Sequence, residues 1–232
     1  MNTSTTVNID LLKKVNAITE KNLLKMIEKI LHASAEQGPF GVAMIEAAQA
    51  ELPKTECANC GSCCNSISIF SIEYHRIMRD LMTRYSPDRL KLLIRDGLDI
   101  EKRFAVTEET DVPERRIRCV FRNQDAGICT IHPVRPFPCR LYGILKFDGT
   151  RECKEVRELS PWKPLKEETL DQLQVKIAAN SEQHQVFPDS DEISFFPFEF
   201  WLFRYSLGIE NALKIYREVI IPSSTPLIKL WK

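Results

Sequence analysis

Cys57-Ala58-Asn59-Cys60-Gly61-Ser62-Cys63-Cys64 places four thiols within eight residues, and the rest of the chain is best read outward from it. Four further cysteines follow singly at Cys119, Cys129, Cys139 and Cys153. All eight lie between positions 57 and 153, and the flanking thirds, 1–56 and 154–232, hold none. Cysteine often serves as a small buried hydrophobe, but that use does not account for a C-x2-C-x2-C-C run through Asn, Gly and Ser. A C-x2-C step lets two sulfurs converge on one ion, and Gly61 permits the tight backbone this requires. Dense, short-spaced thiols of this kind point to metal ligation.

C-x2-C-x2-C has the spacing of the first three ligands of a bacterial ferredoxin-type iron–sulfur run, whose fourth thiol is separate in sequence. The ferredoxin pattern then stops, because Cys64 follows Cys63 directly. Adjacent residues cannot easily aim both sulfurs at one tetrahedral ion. One of the two serves a second centre, bridges, or stays unliganded. The candidate metal ligands are Cys57, Cys60, Cys63, Cys64, Cys119, Cys129, Cys139 and Cys153. They suffice for two four-sulfur sites, or for one cluster with spare thiols. Thiolate softness suits iron–sulfur clusters and zinc alike, and the tripod spacing favours iron.

The charge pattern fits a buried anionic centre. Thiolates around a metal leave a net negative charge, which is costly away from water unless cations or N–H donors surround it. Between Arg115 and Arg151 there are seven Arg and one Lys against two Asp, and Arg135 and Arg140 flank Cys139 most closely. These two are the candidate residues around the cofactor. His132, three residues after Cys129, is a further soft donor in the same segment, but a histidine beside prolines reads more simply as structural.

The whole chain balances 32 Lys and Arg with 32 Asp and Glu, so no global charge points to nucleic acid or an anionic membrane. Its 232 residues can bury a sizeable core without staples. No apolar run approaches the ~20 residues of a membrane span. The opening residues lack the basic and apolar regions of a secretory signal. The expectation is a soluble cytoplasmic protein, in which eight thiols stay reduced instead of forming a disulfide framework. There is no G-x-G-x-x-G, no Walker loop and no G-x-S-x-G.

The predicted fold class is mainly α, with helices surrounding a cysteine-rich irregular core and one or two short β-hairpins. Residues 1–54 form an N-terminal helical segment, 55–155 the cysteine-cluster domain, and 156–232 a C-terminal helical segment packed on the same core. Leu12, Val15, Leu23, Met26, Ile27, Ile30 and Leu31 recur at helical steps over 9–33, and a second short helix runs from Pro39 through Glu51. Ser71 is the expected N-cap of a helix carrying Tyr74, Ile77, Met78, Leu81, Met82 and Tyr85 on one face. Ser86-Pro87-Asp88 starts another, through Phe104, and the pair should form a hairpin over the cysteine loop.

Alternation of Ile117, Cys119 and Phe121 with Ile128 and Thr130 across an Asn123–Gly127 turn reads as a β-hairpin. Another is expected around Phe147-Asp148-Gly149-Thr150. Between them, Pro133, Pro136 and Pro138 predict a rigid irregular segment from His132 to Arg140, suited to carrying ligands. Helices are expected near 166–182 and over Ile209–Val219. The aromatic stretch Phe195–Tyr205 reads as a core helix starting at Pro197 in preference to an exposed patch.

The ordered set Cys57-x2-Cys60-Gly61-x-Cys63-Cys64, Cys119-Val-Phe and Cys129-Thr-Ile-His132-x2-Arg135-Pro136-x2-Cys139-Arg140-x-Tyr142 resembles the YkgJ-type cysteine-cluster (CxxCxxCC) proteins. The resemblance spans roughly residues 55–155 and implies a shared metal site, for which iron–sulfur and zinc have both been proposed. One branch of the family is linked to protein lysine methylation, but no residues here carry that activity over. A Tyr-Pro customary after Cys-Arg is replaced by Leu141-Tyr142-Gly143, so the backbone beyond Cys139 is expected to differ.

Two functions follow. The first is an iron–sulfur cluster with a redox or electron-transfer role, as in an iron–sulfur oxidoreductase. The second is a zinc-binding module without catalysis, whose helices face a protein partner; a metal-dependent protein-modifying enzyme is a further alternative. The catalytic residues, if any, are not legible.

Overall fold

The computed structural model describes residues 8–36, 42–50, 52, 55–56, 64, 67–107, 114–123, 125–141, 146–147, 150–151, 157–158, 172 and 195–220. Its architecture is mainly α, with short antiparallel strand pairs between the helices.

The long first helix, α1 (Ile9–Glu36), begins where Asn8 accepts the Leu11 N–H through its side-chain oxygen at 2.9 Å, an N-cap bond. Leu12, Val15, Met26, Ile27 and Ile30 are its buried stripe, while Leu23 and Leu31 pack half-buried against the same core. α2 (Val42–Ala50) is the second short helix. β1 (Thr55–Glu56) pairs with β7 (Arg157–Glu158), so the two ends of the cysteine-bearing segment meet.

The centre is built from two strand–helix units. β2 (Ser68–Phe70) runs directly into α3 (Ser71–Arg84), and β8 (Phe195–Pro197) directly into α6 (Phe198–Leu207). The two strands pair antiparallel, with Ile69 opposite Phe196. That pairing sets the N-terminal ends of α3 and α6 side by side. α6 is buried almost all round, through Phe198, Glu199, Phe200, Trp201, Leu202 and Phe203, as a central helix must be. The aromatic stretch is thus core. Phe196 stacks on Phe200 at 3.9 Å, Tyr74 on Tyr205 at 5.4 Å, and the Trp201 indole donates to the Phe196 carbonyl at 3.1 Å.

Tyr74, Ile77, Met78 and Leu81 of α3 face this core, as their spacing predicts. The N-cap is Phe70, one residue earlier than expected, because the Glu73 carboxylate takes the Phe70 N–H (3.1 Å) and draws Ser71 into the first turn. α4 (Pro87–Leu98) starts at the Ser86 cap, whose hydroxyl accepts the Arg89 N–H at 3.4 Å. α4 ends at Leu98 and does not reach Phe104. There the Asp99 carboxylate accepts the Lys102 N–H and a 3-10 turn (Glu101–Arg103) leads into β3 (Phe104–Thr107).

β3 pairs with β4 (Glu114–Ile117), placing Ile117 opposite Phe104. Ile117 therefore belongs to an upstream hairpin, and the expected hairpin over 117–131 contracts to one bridge, Arg122 with Cys129. Its turn closes as predicted: Gly127 takes φ +65°, and Asn123 accepts the Ala126 N–H at 2.9 Å. The proline-rich segment is more regular than expected, since prolines suit first turns. It forms a 3-10 turn (His132–Val134) and a one-turn helix, α5 (Phe137–Leu141).

β5 (Lys146–Phe147) and β6 (Thr150–Arg151) make the second predicted hairpin. At the C-terminal end, α7 (Ile209–Ile215) continues as a π turn, Tyr216–Ile220, matching the expected span. Gly208 separates α6 from α7 with φ +89°, a conformation that favours glycine. The helix expected near 166–182 lies, apart from Gln172, outside the described residues.

Candidate metal centre

Four of the eight candidate ligands, Cys64, Cys119, Cys129 and Cys139, are among the described residues; Cys57, Cys60, Cys63 and Cys153 lie outside them. The four described thiols come from separate stretches and are drawn to one region. The Cys119 N–H donates to the Cys64 carbonyl at 3.0 Å, joining the last residue of the CxxCxxCC run to the chain leaving β4. Arg122, one turn beyond Cys119, donates through Nη1 to the Cys64 sulfur at 3.7 Å. Cys129 faces Arg122 across the bridge, and its carbonyl accepts the His132 N–H at 3.3 Å, which starts the 3-10 turn leading to Cys139.

Their electrostatics agree with this clustering. Burial pushes the Cys119 thiol up to about 12, the neighbouring Cys64 and Cys129 add to the rise, and the Phe121 N–H donated to its sulfur opposes it. Cys139 is raised well above the ordinary thiol value, again by burial first, then by Cys119 and Cys129, while Arg135 favours its thiolate. Without a cation, the Cys119 and Cys139 sulfurs stay protonated at neutral pH. Desolvation and the cations of Arg135 and Arg140 hold His132 below the ordinary imidazole range, so its ring is neutral.

Buried groups from the helical frame fix the thiol-bearing backbone. Arg103 and Glu199 form an ion pair, with the Glu199 side chain 1% and that of Arg103 9% exposed. Arg103 Nη1 also donates to the Arg118 carbonyl at 2.9 Å, Nη2 to the Gly97 carbonyl at 2.8 Å, and its own carbonyl accepts the Arg118 N–H at 2.9 Å. The residue before Cys119 is thereby tied to α4 and α6. Glu73 does the same for Cys139: its carboxylate accepts the N–H of Phe137, the first residue of α5. Arg140 braces the same turn by donating to the carbonyls of Arg135 (3.1 Å) and Pro133 (2.9 Å).

Sequence reasoning missed Arg122, Arg103, Glu73 and Glu199. Glu73 three residues after Phe70, ahead of an apolar run, carries a capping signature, but nothing local announces its bond to Phe137. Arg122 lay in the Arg-rich stretch without a mark of its own. Among the described residues, no three Cys, His, Asp or Glu side chains form a metal-ligating array. The donor set itself, soft thiols among N–H and guanidinium donors, fits a thiophilic metal ion or cluster.

The class these features define is a mainly helical protein that draws thiols from separate stretches into one cysteine cluster. Residues 56–158 match the family model CxxCxxCC, described as a zinc- or iron-chelating domain. No curated protein and no solved structure matches the chain. No helix among the described residues is long and apolar enough to cross a membrane.

Proposed function

We propose that this domain holds an iron–sulfur cluster with a redox or electron-transfer role, in a reducing cytoplasmic setting. The observation that carries the reading is the Cys119–Cys64 backbone bond, which brings the end of the tripod run to the later thiols. Cys57, Cys60 and Cys63 would supply three ligands, and Cys119, Cys129, Cys139 or Cys153 the remainder, with Cys64 serving as ligand or neighbour. Arg122, Arg135 and Arg140 would offset the negative charge of the thiolates. A bound cluster would supply one-electron chemistry, and the chain would hold it, shield it from water and set its potential through N–H and guanidinium donors.

The family description leaves a zinc cross-link as the second reading, in which the metal ties the cysteine loop to the helices and a protein partner binds the helical face. Anaerobic purification separates the two. Visible charge-transfer absorption with acid-labile sulfide supports the cluster, whereas a colourless protein with stoichiometric zinc removes it. Cys60→Ser should lower the metal content in either case, and unchanged loading would remove the tripod from the site.

A further inference from the structure

The geometry points to Glu73 as the positioning residue for Cys139, setting that thiol's aim at the metal through the backbone of α5. The assignment rests on the reading of Cys139 as a ligand. α5 has five residues, too few to hold a helical turn by its own hydrogen bonds. Its position must come from outside contacts. Phe137 and Leu141, one turn apart and each 1% exposed, fix which face is buried but not the finer rotation about the helix axis.

Rotation is set by the directional contacts. Glu73, 1% exposed, spans two donors: one carboxylate oxygen accepts the Phe70 N–H of its own helix, and the other accepts the Phe137 N–H, 64 residues away. Because the Phe70 bond holds the carboxylate in place, the Phe137 bond pins the start of α5 to the start of α3. Cys139 follows two residues later on the same turn, so an angular change at Phe137 swings its sulfur. Burial raises this carboxyl to about 7, against the lowering effects of the Phe137 and Phe70 N–H groups and the cations of Arg76 and Arg140, and above that pH, where the test is run, both oxygens can accept.

An amide cannot serve both donors. In Glu73→Gln, one N–H keeps an acceptor while the other meets an NH2 group, with almost no change of volume. The test uses Co(II) as probe on the full-length, metal-free protein, following the thiolate-to-cobalt charge-transfer band. Glu73→Gln, Glu73→Ala and Cys139→Ser are compared with the parent. Glu73→Gln is expected to weaken Co(II) binding by about tenfold and to lower the band intensity per bound ion toward that of Cys139→Ser. Glu73→Ala should lower both further. Simple loss of stability would weaken binding yet leave the intensity per bound ion at the parent value, and that result overturns the proposal. So does a Glu73→Gln protein that binds and absorbs like the parent while Cys139→Ser does not. If Cys139→Ser itself matches the parent, the ligand assignment has failed and the positioning role with it.

Discussion

Arg103 and Glu199 form a buried ion pair across 96 residues of chain, and the same guanidinium holds the carbonyls of Arg118 and Gly97. Removing one partner of such a pair leaves a charge buried without compensation, which typically costs about 3–5 kcal/mol. Arg103→Met should therefore destabilise the metal-free protein by about 3 kcal/mol or more in urea unfolding. Arg103→Met/Glu199→Gln should recover part of that loss, since no charge remains buried. Simple additivity of the two single variants would show that the pair is not coupled. Metal affinity should drop in Arg103→Met as well, because the residue before Cys119 loses its anchor.

Gly97 lies where α4 presses on α6. A β-carbon added there would stand 2.5 Å from Leu202 Cδ1, and Leu202 is fully buried. Overpacking costs about 1–3 kcal/mol and the helix-propensity gain of alanine over glycine returns up to about 1, so Gly97→Ala should lose about 1–2 kcal/mol net. In a Leu202→Ala background, the clash disappears and the same substitution should become neutral or stabilising. A double-mutant cycle by chemical denaturation reads the sign directly. An equal loss in both backgrounds would mean that Leu202 is not the obstacle.

Metal uptake should release protons. Cys119 is pushed up to about 12 and Cys139 is raised well above the ordinary thiol value, both chiefly by burial, so each carries its proton at neutral pH and must lose it to bind a cation. Apparent affinity should consequently rise with pH. Calorimetric titration with Zn(II) in buffers of different ionisation enthalpy should report at least two protons released per ion at pH 7 in the parent. The number should fall by about one in Cys119→Ser. Binding without proton release would show that these two thiols take no part.

The parts of this molecule legible in its sequence are those set by local periodicity and local turn chemistry. The buried face of α1, the face of α3, the Ser86 cap and the core character of Phe198–Phe203 all follow from spacing. So does the turn over Asn123–Gly127. The cysteine pattern named the family match over 56–158. What spacing could not convey is pairing between distant segments. Nothing near Ile117 says that it prefers Phe104 to the far side of the next turn, and nothing near Glu73 or Glu199 says that a buried carboxylate awaits Phe137 or Arg103. The Glu73 and Glu199 contacts carry charge and backbone polarity into the core, and they join residues 64 and 96 positions apart.

Glu73 also makes stability depend on pH in a direction that can be stated. Burial pushes its carboxyl up to about 7 from an ordinary 4.5, against the lowering effects of the Phe137 and Phe70 N–H groups and the cations of Arg76 and Arg140. The folded state therefore binds a proton that the unfolded chain has already lost between those values. A raised folded-state pKa gives a contribution fully present below about 4.5 and lost as pH rises through about 7, on the order of 3 kcal/mol across the window. Glu73→Gln cannot titrate, so the stability of Glu73→Gln relative to the parent should increase from pH 4.5 to pH 8. Urea unfolding of both proteins, metal-free and reduced, at several pH values measures that difference, and groups common to the two cancel. Parallel profiles would mean that Glu73 ionises in the folded protein as easily as in water, and that its burial is not what the structure describes.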